Sequence, residues 1–161
     1  MTDLSLPGGL PGRIATEARA AGRHPLETGG FILAPSQGGT DVVLALSGQA
    51  DIQRQKNLFH VGTMAIAALF DWTEEHGLTV AAQWHTHRRG AFLSDTDIAY
   101  GFNVPGFVTS VVPNYETASD NPADWGWWQF QADEWVPIPH PTVTRGSFSV
   151  ITFEARHVRN A

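Results

Sequence analysis

Two histidines separated by one residue, His85 and His87, have the clearest potential for chemistry in this sequence. They follow the apolar run LTVAAQW, which predicts a buried strand over residues 78–84. Residues at positions i and i+2 of a strand point to the same face, so both imidazoles can converge on one point. Such a pair at a strand end is also common in cores and on surfaces, so the pair alone does not establish a metal site.

A serine and an aspartate follow the histidine pair at a spacing that favours a metal site. Ser94 is a good helix N-cap, and Asp97 falls in the first turn of the helix that Ser94 would start. Two imidazoles and one carboxylate form a three-ligand set of the kind catalytic zinc uses, with water in the fourth position. Zinc held in this way lowers the pKa of its water toward about 7. The added Ser94 and Asp97 therefore favour a site for one metal ion over an ordinary histidine pair, without excluding the latter.

The composition limits both the chemistry and the partners of the chain. The 161 residues contain no cysteine, which excludes disulfides, thiolate metal sites and a cysteine nucleophile. The formal net charge of -6 disfavours nucleic acid as a partner, because a basic patch supplies most of the affinity for phosphate backbones. Residues 1–12 lack a signal-peptide pattern, and no apolar run approaches the roughly 20 residues of a membrane span. We therefore expect a cytoplasmic protein that binds neither nucleic acid nor membrane.

Helical and strand patterns alternate along the chain. The Ala-rich segment 13–21 and the segment 63–76 predict helices, and a third helix opens at Ser94. Short apolar or alternating runs predict strands at residues 29–34, 41–46, 78–84, 107–112, 125–131, 135–138 and 148–153. Segments 49–58 and 114–124 are predicted to be loops. Helices interleaved with strands indicate an α/β (α+β) fold with a central mixed sheet.

The domain boundaries follow from the composition of the two ends. The Gly- and Pro-rich start predicts a flexible N-terminal segment over residues 1–12. A single domain is expected over residues 13–155, followed by a C-terminal tail over residues 156–161.

Four tryptophans lie close together near the C-terminal end: Trp125, Trp127, Trp128 and Trp135. Strand alternation places Trp125 and Trp127 on one face and Trp128 on the other. We expect these rings to complete the core around the last hairpin. The alternative is an exposed aromatic strip that grips a partner protein.

A segment far upstream of the histidine pair adds a fourth part to the pattern. This segment, PLETGGFIL at residues 25–33, carries Glu27. Together with the later His-x-His and Ser-x-x-Asp elements, it resembles the JAMM motif of the JAB1/MPN/Mov34 metalloprotease family, over roughly residues 13–135. The resemblance implies a three-layer JAB/MPN-type domain with a central mixed, largely antiparallel sheet flanked by helices.

The resemblance also implies a role for each motif residue. His85, His87 and Asp97 would bind zinc, and Glu27 would take the proton from zinc-bound water and deliver it to the leaving amine. Ser94 matches the family serine that donates a hydrogen bond to the developing oxyanion, and it can act as a helix N-cap as well.

The function implied by the resemblance is hydrolysis of an amide bond. The family cleaves isopeptide or peptide bonds after the C-terminal tail of ubiquitin or a ubiquitin-like protein, and this minimal chain looks like the prokaryotic branch. The expected partner is therefore the tail of a ubiquitin-like or sulfur-carrier protein. A metal-free MPN-type scaffold that only binds partners and a small-molecule amidase or C–S hydrolase on the same site are the alternatives. The sequence leaves the oligomeric state open.

Two departures from the family pattern lie between the zinc ligands. Arg88 stands where the family usually has proline, and the gap from His87 to Ser94 is one residue shorter than usual. Arg88 and Arg89 would lie at the rim of the site, where they could hold an acidic or carboxylate group of the substrate. The alternative is a charged loop that is simply solvated.

Overall fold

The computed structural model describes residues 4–161, and its helices match the predicted number. Two of the helices are long and one is short: α1 (Leu10–Gly22), α2 (Thr63–Glu75) and α3 (Asp95–Ala99). Two 3-10 turns, Tyr115–Thr117 and Pro122–Asp124, occupy the predicted loop 114–124. Within residues 4–161 no helix has the length and apolar character needed to cross a membrane.

The strands of the described residues belong to one large sheet and two small ones. They are β1 (Ser5–Pro7), β2 (Gly29–Pro35), β3 (Val42–Ser47), β4 (Ile52–Gln55), β5 (Leu58–Val61), β6 (Leu78–Thr86), β7 (Val108–Val112), β8 (Gly126–Gln131), β9 (Glu134–Pro137), β10 (Thr142–Thr144), β11 (Phe148–Glu154) and β12 (His157–Asn160). The large sheet has the order β12-β11-β3-β2-β6-β7-β8-β9. Only the pairs β3–β11 and β6–β7 are parallel in it. The mixed, largely antiparallel sheet is therefore confirmed.

The core lies on both faces of the large sheet. Along β2, Ile32 packs into the cluster that contains the buried side of α1, whereas Phe31 and Leu33 pack into the cluster that contains the buried side of α2. This is the alternation that a strand covered on both faces requires. The resulting order of helix, sheet and helix confirms the three-layer architecture.

The two chain ends differ from the expected flexible segment and tail. Residues 1–3 lie outside the described residues, but β1 pairs in parallel with β10, and α1 begins at Leu10 instead of residue 13. Pro11 at the start of α1 is compatible with a helix, because N–H groups in the first helical turn have no acceptor within the helix. At the other end, β12 pairs antiparallel with β11.

The prediction of a loop at residues 49–58 is wrong for half of that segment. Strands β4 and β5 form an antiparallel hairpin in which Gln55 pairs with Leu58. The polar sequence of β4, IQRQ, hides this strand, because its side chains alternate only between exposed and half-buried positions.

Two of the four tryptophans near the C-terminal end, Trp125 and Trp127, belong to the core as expected, whereas Trp128 and Trp135 are half-buried. Trp125 and Trp127 are buried, and their rings stack with centroids 6.0 Å apart. The Trp125 and Trp127 indole nitrogens donate hydrogen bonds to the carbonyl oxygens of Ser119 and Pro122. This burial is inconsistent with an exposed aromatic strip on that face.

Candidate metal centre

The pairing of β2 with β6 brings the two halves of the motif together. Gly29 pairs with His85 in this antiparallel ladder. Beyond the ladder, the Thr86 N–H donates to the Thr28 carbonyl oxygen at 2.9 Å, and the Thr28 N–H donates to the Thr86 Oγ1 at 2.9 Å. Because the strands run in opposite directions, Glu27 is carried to the position beside His87. The register of β2 against β6 therefore brings together residues that are about sixty positions apart in the sequence.

Two glycines allow the strands to approach closely just before the site. A Cβ on Gly29 would lie 2.5 Å from the Trp84 carbonyl oxygen, and a Cβ on Gly30 would collide with the Ala45 carbonyl oxygen. Both distances are shorter than real Cβ contacts allow. The Gly-Gly pair of the motif is thus required by the packing that positions Glu27.

The hairpin of β4 and β5 holds the Glu27 segment from its other side. The Glu27 N–H donates to the Gln55 carbonyl oxygen at 2.8 Å. Arg54 donates from Nε to Thr28 Oγ1 at 3.1 Å and from its two Nη atoms to the carbonyl oxygens of Gly48 and Ser47 at 2.6 Å each. Sequence reasoning missed Arg54, because nothing in its local pattern shows that it reaches β3.

The imidazoles and the Asp97 carboxylate converge as the sequence predicts. The His85 Nε2 lies 3.2 Å from Asp97 Oδ1, and the His87 Nε2 lies 3.0 Å from Asp97 Oδ2. The two Nε2 atoms are 3.2 Å apart. Ligand atoms about 2.0–2.1 Å from a tetrahedral zinc lie about 3.3 Å from one another. These three side chains therefore fit the spacing of a zinc ligand set.

Short local contacts fix the orientation of these ligands. Ser94 caps α3: its Oγ accepts from the Asp97 N–H at 3.1 Å, and its own N–H donates to Asp97 Oδ2 at 2.9 Å. The His87 Nδ1 lies 3.2 Å from the Gly90 carbonyl oxygen, which leaves Nε2 directed at the site. The predicted N-cap role of Ser94 is confirmed.

Glu27 is the second carboxylate beside the same imidazoles. Its carboxylate and the ring nitrogens of His85 and His87 offer ligand atoms that all lie within 4.8 Å of one another. The three residues are buried, with Glu27 only 4% exposed. The structure thus brings together the four residues predicted for metal binding and proton transfer, and it offers two carboxylates to one imidazole pair.

Burial and charge set the protonation of the site. Burial raises the pKa of Glu27 to about 8, while the charge of His87 works against this rise and that of Asp97 adds to it. Burial also acts to raise the pKa of Asp97, but hydrogen bonds with His85 and His87 outweigh it and hold that pKa well below its usual range. A carboxylate that titrates near neutral pH is suited to act as a general base.

An open cleft of about 320 Å3 leads to Glu27 and His87. Its other walls are Asn57, Arg88, Arg89, Phe92 and Ser94. The Phe92 ring packs edge-on against His87, with centroids 4.7 Å apart. A ligand in this cleft would therefore contact the predicted base, one predicted metal ligand and the predicted oxyanion donor.

A family comparison decides the identity of the domain. The model for prokaryotic homologs of the JAB domain matches residues 9–128, which span the whole four-part motif. The chain belongs to this family. The resemblance drawn from the motif is therefore confirmed for this prokaryotic JAB domain, and no curated protein matches its sequence significantly.

Solved structures share the fold of this prokaryotic JAB domain. A protein from Desulfitobacterium hafniense superposes with a TM-score of 0.64 at 13% identity, covering 88% of this chain and 93% of that chain. A protein from Salinibacter ruber superposes with a TM-score of 0.52 at 16% identity, covering 89% and 92%. A JAB1/MPN domain protein from Archaeoglobus fulgidus has a TM-score of 0.49 at 14% identity, covering 89% and 100%. At these identities the first two similarities show the fold alone.

Proposed function

We propose that this JAB domain is a zinc metallopeptidase that hydrolyses the amide bond after the C-terminal tail of a ubiquitin-like or sulfur-carrier protein. The observation that carries the proposal is the convergence of His85, His87 and Asp97 at 3.0–3.2 Å, with the buried Glu27 beside them. The substrate class rests on the family to which the chain belongs.

The ligand set would be His85, His87 and Asp97. When bound there, zinc would polarise the scissile carbonyl group and make a water nucleophilic at neutral pH. Glu27 is assigned to take the proton from that water, because it lies beside the imidazoles and because its raised pKa, about 8, makes its carboxylate a stronger base. The same carboxyl group then passes the proton to the leaving amine.

Ser94 is assigned to the oxyanion that develops on the scissile carbonyl. Its Oγ already accepts a hydrogen bond from the Asp97 N–H, yet a hydroxyl retains its own hydrogen as a donor. Ser94 also lines the open cleft together with Glu27. The capping and catalytic roles of this serine are therefore compatible.

The test is cleavage of a panel of ubiquitin-like and sulfur-carrier proteins fused at their C-terminal tails to a reporter. Glu27→Gln should reduce the rate by about 100-fold or more, because general base catalysis contributes roughly that much. Lys56→Gln, an exposed change on the turn between β4 and β5, is the matched control and should retain the wild-type rate. A zinc-supplied wild-type protein that cleaves none of the fusions would contradict the proposed substrate class.

A further inference from the structure

Arg88 and Arg89 give the open cleft a charge that the proposed chemistry does not use. Both residues follow His87 directly, both are exposed, and both line the cleft with Glu27. The two arginines and the predicted base therefore share one cleft.

Neither arginine forms an ion pair within residues 4–161. Glu27 is the one acidic residue among those that line the open cleft. A neighbouring cleft of about 220 Å3, which the arginines share, contains Glu116, but this carboxylate makes no ion pair with them. Two adjacent guanidinium groups without a protein anion, in a chain of net charge -6, are suited to an anion supplied by a ligand.

We propose that Arg88 and Arg89 bind a carboxylate on the amine side of the scissile amide, so that the leaving group is a small amine that carries a free carboxylate. This inference rests on the proposed function, because it uses the assignment of Glu27 as the group that protonates the leaving amine. Glu27 and the arginines line one cleft, so the amine that receives the proton lies on the arginine side.

The size and the walls of the cleft fit a small leaving group. Its volume of about 320 Å3 lies at the lower end of the roughly 300–1,000 Å3 of small-molecule sites. The Phe92 ring is 54% exposed and offers an apolar wall, while Asn57 and the arginines offer polar donors. A single amino acid or a short peptide with a free α-carboxylate matches this combination of surfaces.

The reaction then balances as a simple hydrolysis. The C–N bond of the amide breaks, and the water oxygen is joined to the acyl carbon to give a carboxylic acid. One water proton, carried by Glu27, goes to the leaving nitrogen. The carboxylate held by Arg88 and Arg89 remains unchanged throughout, so the two arginines determine specificity and take no part in bond making.

The experiment compares acetyl-Gly-Phe with its C-terminal amide, which differ only in the carboxylate. Binding is measured by NMR titration of Glu27→Gln protein in excess zinc, a protein in which turnover is suppressed. The acid should bind about tenfold more tightly than the amide, since paired guanidinium–carboxylate hydrogen bonds are the strong ones. Adding Arg88→Gln and Arg89→Gln, singly and together, should reduce this ratio toward one. Arg145→Gln, an exposed change outside both clefts, should leave the ratio unchanged.

Equal binding of acid and amide, no binding of either, or a preference that survives the double substitution would overturn the inference. The same NMR spectra show whether each variant is folded. Hydrolysis of the two compounds by wild-type protein separates the two proposals. If the acid binds preferentially but neither compound nor any protein fusion is cleaved, the hydrolase proposal fails and the carboxylate site stands.

Discussion

At the scale of single residues, Glu27 and Asp97 are two carboxylates that share neighbours but are held in opposite ways. Asp97 contacts both Nε2 atoms and accepts the Ser94 N–H, so its charged form is favoured. Glu27 is buried without a comparable set of donors, so in metal-free protein burial disfavours its charged form. In active sites, different surroundings separate the pKa values of two carboxyl groups in this way, and each group then takes a different acid–base role.

This difference predicts a pH dependence of stability for protein stripped of metal by a chelator. The pKa of folded Glu27, about 8, exceeds its ordinary value of 4.5, so its contribution to stability is complete below pH 4.5 and is lost as pH rises through 8. The melting temperature of wild-type protein should therefore fall between pH 5 and pH 8 relative to that of Glu27→Gln. Asp97, whose pKa is lowered, contributes constantly across this window. If the melting temperatures of the two proteins changed in parallel between pH 5 and pH 8, the pKa of Glu27 would not be raised and the prediction would be wrong.

At the scale of elements, the site depends on some strands and helices that can be predicted from the sequence and on others that cannot. The strand before His85, the α2 helix and the Ser94 cap are predictable, because apolar runs and capping residues are local signals. Strands β1, β4, β10 and β12 are three or four residues long, and all but β1 are mostly polar, so only their tertiary partners define them. The motif was therefore visible in the sequence, whereas the hairpin that supports Glu27 was not.

Arg54 is the positioning residue that this hairpin supplies, and its role can be tested. Arg54→Ala should lower the free energy of unfolding by about 1–3 kcal/mol, because the carbonyl oxygens of Ser47 and Gly48 and the Thr28 hydroxyl lose their donor. It should also reduce kcat while leaving zinc content unchanged, because the predicted ligands lie at the end of β6, directly after it and on α3. Arg54→Lys should recover part of both losses.

Urea denaturation, zinc content and kcat on a cleaved fusion provide the three readouts for Arg54. Gln53→Ala, an exposed change on the same strand, is the control and should resemble wild type in all three. An Arg54→Ala protein that loses stability but keeps the wild-type kcat would limit Arg54 to a structural role.

At the scale of the whole molecule, the three-layer fold fixes the position of the C-terminal end of β6. Strand β6 lies in the interior of the large sheet, between β2 and β7, with core clusters on both faces. Its end carries His85, and His87 follows directly. The segment that leads into β2 supplies Glu27, and α3 supplies Asp97. The four side chains therefore come from elements that meet only in the complete fold, so unfolding should release the metal and metal should stabilise the fold.

We expect Asp97, and not Glu27, to complete the zinc ligand set. It is tested most directly by zinc content per chain, measured by elemental analysis after dialysis of wild type, Asp97→Ala and Glu27→Gln. We expect about one zinc per chain in wild type and in Glu27→Gln, and a large loss in Asp97→Ala, because two imidazoles alone do not make the three-ligand set of a catalytic zinc site. Zinc lost from Glu27→Gln but retained by Asp97→Ala, or absent from wild type, would contradict the claim.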